Sequence, residues 1–122
     1  MLRGMAIAHA QPGQPIESHG FPAPAVAEQS VALFKSRDLE VIRLVLAQGR
    51  SMPPHRVPGD ITIHCLSGLI EVGLGESHPR LLAGQMMYLP GGAVHDVKAL
   101  SDSRVLLTIA LTPASKTESG TP

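Results

Sequence analysis

Residues 84–99 read GQMMYLPGGAVHDVKA, and this stretch decides the fold. Gly84 interrupts what precedes it, and Met86, Met87, Tyr88 and Leu89 then make an apolar run of the length a strand needs. Pro90-Gly91-Gly92 blocks helix and central strand alike and turns the chain through a rigid corner. Beyond the corner the sequence alternates, with His95, Val97 and Ala99 on one face of a strand and Asp96 and Lys98 on the other. His95 therefore shares the inward face with two small apolar residues.

Working outward, the same pattern repeats. Strands are expected at 31–35, 39–46, 61–66, 71–75, 80–82, 86–89, 95–99 and 104–111, with breakers at Gly49, Pro53-Pro54, Pro58-Gly59, Gly68, Gly84 and the corner at Pro90. A helix over residues 26–34 is the only competitor, favoured by alanine content and opposed by poor apolar spacing. Many short strands with tight turns imply an all-β, antiparallel sandwich or barrel closed on itself, because open edges invite aggregation. The strand at 39–46 is apolar on both faces apart from Arg43, so its outer face needs a cover, and a homodimer is expected.

Composition narrows the function classes. The chain has 122 residues, 43% of them apolar, enough for one domain with its own core. Ten Lys+Arg balance ten Asp+Glu, so no basic field exists to hold phosphate backbones or anionic lipid. The aromatics are Phe21, Phe34 and Tyr88 alone, too few to stack bases. Nucleic acid and membrane are not expected partners, and the Pro-rich start offers no DNA-binding helix pair. Residues 1–30, with Pro12, Pro15, Pro22 and Pro24, read as an extended arm that frays or lies across a neighbouring subunit. The barrel occupies 31–112, and 113–122 read as a disordered tail. Met5 to Ala8 is too short for the apolar core of a leader, and Cys65 is the only cysteine, so a cytoplasmic location is expected.

Two spacings carry the functional reading. Gly49 is followed after five residues by His55, with Gly68 further on; Gly84 is followed after five residues by Pro90, then by Gly92 and His95. Fifteen residues separate Gly68 from Gly84. The pair of segments resembles the two signature motifs of the cupin superfamily, G-x5-H-x-H-x3-E-x6-G and G-x5-P-x-G-x2-H-x3-N, in the compact spacing of small RmlC-like members. That resemblance implies an antiparallel jelly-roll barrel, the double-stranded β-helix.

The family's metal site is carried over only in part. His55 and His95 match two imidazole ligands, but Val57 stands at the second histidine position, Ile61 at the carboxylate and Ala99 at the asparagine. What the resemblance implies is a divalent ion (iron, manganese, nickel or zinc) at His55 and His95, with a metal-free histidine pair as the alternative. Asp60 is one residue out of register for a ligand unless its hairpin bulges. By alternation Ile61, Ile63 and Cys65 face inward while Thr62, His64 and Leu66 face outward; Cys65 reads as a small buried apolar residue.

Val57 and Ile61 replace polar groups by apolar ones, which shifts the cavity from an ion cage towards a slot for a small molecule. Its expected lining, besides the histidines, is Met52, Val57, Ile61, Ile63 and Tyr88, with Tyr88 either in the core or offering its phenol to the ligand. Three functions remain open: a small-molecule binder, a metal-dependent enzyme of dioxygenase or isomerase type using His55 and His95, and a metal-free acid–base enzyme using His95.

Overall fold

A computed structural model describes residues 9–18 and 29–112. The expectations for residues 1–8, 19–28 and 113–122 lie outside the described residues. Those described contain nine strands and no helix: β1 (Gln29–Lys35), β2 (Leu39–Leu46), β3 (Ser51–His55), β4 (Ile61–Ser67), β5 (Leu69–Gly73), β6 (Arg80–Leu82), β7 (Met86–Leu89), β8 (His95–Ala99) and β9 (Ser103–Ala110). All pairings are antiparallel, in a five-stranded sheet ordered β1-β2-β9-β4-β7 and a four-stranded sheet ordered β3-β8-β5-β6.

The inner faces of both sheets supply one apolar core. Leu44, Leu46, Ile61, Ile63, Cys65, Leu89, Val105 and Leu107 come from the larger sheet; Ile70, Val72, Leu81, Val97 and Ala99 come from the smaller. Each set follows the two-residue period of its strand, which is why β4 and β8 bury alternate residues. With roughly 25 cal/mol gained per Å² of apolar surface removed from water, this interior dominates the stability of the fold.

One expectation in this region needs correction. Pro53-Pro54 is no simple breaker, because both prolines lie inside β3. Proline cannot donate to a ladder, and β3 accommodates two of them as an edge strand whose register on β8 slips between Met52 and His55. The strand expected at 31–35 is present and starts two residues earlier, as the edge strand β1, so the described part (29–34) of the competing helix over 26–34 is strand instead.

The described part of the arm folds back on the same chain. Ala10 donates its backbone N–H to Leu33 O (2.9 Å), and the Arg43 guanidinium donates to Glu17 O (3.2 Å). Ser103 ties the sheets together at one end: its buried hydroxyl accepts the Leu69 N–H (3.1 Å) and points its hydrogen to Ser101 O (2.8 Å) and Leu69 O (3.2 Å). Nothing in the sequence marks this serine apart from its neighbours Ser101 and Asp102. Burial pushes the Cys65 thiol up from its ordinary range, and its Sγ lies 3.5 Å from Ser67 O. A protonated, sealed thiol fits the small apolar role read from the sequence.

Candidate functional site

The site forms where β3 and β8 meet. His55 ends β3, His95 begins β8, and the two are direct partners across the antiparallel ladder. Their ring centroids are 4.5 Å apart, with planes tilted by 54°. His95 is sealed, at 1% exposure, while His55 is half-buried. A visitor from solvent therefore meets His55 first.

Both rings are held in the same way. His55 Nδ1 lies 3.2 Å from Pro53 O, and His95 Nδ1 lies 3.1 Å from Ala93 O, each carbonyl two residues upstream. A carbonyl oxygen only accepts, so Nδ1 carries the proton in both rings, and the second ring nitrogen, Nε2, is the one left to meet a ligand. His95 Nε2 is buried and has no hydrogen-bond partner. An unpartnered buried acceptor costs about 1–3 kcal/mol, a penalty that a ligand with a donor group would remove.

Apolar residues lie close to the pair along the chain. Met52, Val57 and Ala93 are partly buried against the core. Ile61 and Ile63, expected to line the cavity, are 2% and 0% exposed and belong to the packed interior. Tyr88 requires a clear correction: it pairs with Thr62 on the outer face of the larger sheet and is 61% exposed, so its phenol neither enters the core nor faces the barrel. Its neighbour Met87, opposite Ile63, takes the inward position instead. His64 follows the expected outward parity, directly opposite Met86 and Leu106.

Asp60 does not supply the missing carboxylate. Its Oδ1 accepts the Gly91 N–H at 3.0 Å, and among the described residues no group of three His, Cys, Asp or Glu side chains converges as a metal site. The residues present do not fit the family's closed ion cage, which needs three or four protein donors. The two Nε2 atoms are at most a pair of neighbouring positions on an ion. Were an ion held here, His55 and His95 would be its imidazole donors, and water or ligand oxygens would have to supply the rest.

The comparisons agree with this architecture. The family model for the cupin domain matches residues 42–111, more than half of the chain, and the chain belongs to that family. A cupin superfamily protein from Desulfitobacterium hafniense superposes with a TM-score of 0.74 at 16% identity, covering 88% of this chain and 100% of that one. A conserved protein of unknown function from Streptococcus pyogenes gives 0.71 at 23% identity, with 88% and 95% covered. An RmlC-like cupin from Desulfovibrio desulfuricans gives 0.67 at 23% identity, with 79% and 97% covered. These likenesses show the fold. A comparison with curated protein sequences finds no match.

If Val57 and Ile61 are what empties the family's ion cage, restoring its donors creates an ion site. Val57→His with Ile61→Glu is expected to make the melting temperature depend on manganese. An ion at a hundred times its Kd stabilises by about 2.7 kcal/mol, while the parent chain shifts far less. Equal responses of the two proteins in a thermal melt would show that these positions do not surround the histidine pair.

Proposed function

We propose that this cupin binds a small molecule at the His55–His95 pair, accepting a hydrogen bond from a hydroxyl or N–H group of the ligand. The observation that carries the reading is the buried, unpartnered Nε2 of His95 beside a second imidazole. Two acceptors without a fixed cation select a neutral or cationic donor over a carboxylate, whose oxygens would face the Nε2 lone pairs. Met52 and Val57 favour an apolar body behind that donor. The half-buried His55 ring, on an edge strand, is the more accessible member of the pair.

A pair of simple probes tests this. Phenol offers an apolar ring and one donor; its methyl ether offers the ring alone. Phenol is expected to shift the ring resonances of His95 and of the adjacent His55 and the ether to leave them unchanged, with the phenol shift at His55 lost in His95→Phe. Equal shifts from both probes would contradict a hydrogen-bonded site.

A second reading starts from the closeness of the two imidazole rings: a divalent ion held by His55 and His95 and completed by water or substrate oxygens, as in a metal-dependent cupin enzyme. Stoichiometric iron, manganese, nickel or zinc after gentle purification, lost in His55→Ala, would favour this reading over the first.

The proposal extends to the assembly and its setting. Met86 and Tyr88 are 58% and 61% exposed side by side on the outer face of the larger sheet, beside Leu106 and His64. A second copy of this chain covers that face in the assembly we propose, and the unpaired Cys65 suits the reducing cytoplasm. Tyr88→Glu is expected to halve the mass measured by sedimentation equilibrium; a parent chain that is already monomeric would overturn the dimer. No helix among the described residues is long and apolar enough to cross a membrane.

A further inference from the structure

Asp60 stands immediately before the position where the family carries its carboxylate, yet its side chain is engaged elsewhere. Its Oδ1 accepts the N–H of Gly91, while its backbone oxygen accepts the Ala110 N–H at 2.9 Å. The residue thus bridges the end of β9 and the corner that leads into β8.

That corner is a β-turn. Ala93 N–H closes on Pro90 O at 3.2 Å, and Gly92 sits at φ 84, the left-handed position such a turn assigns to glycine. Gly92 N–H donates to Val57 O at 2.8 Å, stitching the corner to the segment that follows His55. Gly91 allows the close approach: a Cβ there would collide with Pro58 O. The turn ends at Ala93, whose carbonyl receives Nδ1 of His95. One chain of contacts therefore runs from the Asp60 carboxylate, through Gly91 and the turn, to the imidazole.

We propose that Asp60 is the positioning residue of the histidine pair: by fixing the Pro90–Ala93 turn it holds Ala93 O on His95 Nδ1 and keeps the Nε2 lone pair turned into the site. The consequence for affinity rests on the ligand-binding reading above; the consequence for the imidazole does not. Asp60 is itself exposed, so shortening it removes a hydrogen bond without opening the core. Asparagine keeps an acceptor oxygen in the same place and preserves the contact, whereas alanine leaves the Gly91 N–H to solvent.

The experiment is a long-range proton–nitrogen correlation spectrum of the full chain at a pH where imidazole is neutral, which separates the two tautomers of His95. The wild type and Asp60→Asn are expected to show only the form with its proton on Nδ1. Asp60→Ala and Asp60→Ser, whose hydroxyl falls short of Gly91, are expected to show exchange between both forms. Phenol binding is then expected to weaken by about 10–100-fold in Asp60→Ala and to recover in Asp60→Asn, the range seen when groups that orient a histidine ligand are removed. An unchanged single tautomer in both shortened variants would overturn the positioning role. If phenol binds none of the proteins, the ligand reading fails while the tautomer pattern still decides Asp60.

Discussion

His55 stands opposite His95 because β3 and β8 are antiparallel partners in one sheet, and the rest of the site depends on that register. A slip of one residue would send one ring to the other face of the sheet and separate the pair. The register is guarded from both ends: Ser51 and Met52 pair with Lys98 and Val97, while the turn at Pro90–Ala93 is tied to Val57 and Asp60. Two prolines between these anchors leave β3 few ladder bonds of its own, so the loop contacts carry more of the positioning than in an ordinary strand.

What the pair can do follows from the replacement of its neighbours. In a family cage a third imidazole and a carboxylate would share the space with His55 and His95; here Val57 and Ile61 occupy those positions in sequence, and Ile61 is sunk in the core. At these two positions the chain carries apolar side chains in place of the polar donors that the family motif would put there. The two imidazoles keep the feature that makes histidine a good ligand, an Nδ1–H anchored on a carbonyl and a bare Nε2. In the proposed binding site the same feature would serve a hydrogen-bond donor of the ligand, with no need of the full metal set.

Much of this was legible in the sequence, for reasons that vary by element. The limits of β2, β6, β7 and β8 coincide with runs of alternating or continuous apolar residues bounded by Gly, Pro or Asp, and the inward parity of Ile61, Ile63, Cys65, Val97 and Ala99 follows from the strand period. The strand β3 was hidden because Pro53-Pro54 reads as a break, and only the edge position in the sheet makes it tolerable. Tyr88 was misread for a physical reason: an aromatic in a chain with few of them invites a core placement, but the parity set by Met87 and Leu89 puts it outside. The anchoring of both Nδ1 atoms, the sealed Nε2 and the role of Ser103 depend on side-chain torsions and loop closure, which spacing along the chain does not encode.

The proximity of the two imidazoles is what every functional statement assumes, and it is open to direct measurement in solution. With ring centroids at 4.5 Å, a carbon-edited nuclear Overhauser spectrum of the wild-type chain should contain cross-peaks between the ring protons of His55 and those of His95, absent when either is replaced by alanine. Clear intraresidue peaks for both rings with none between them would contradict the account at its root.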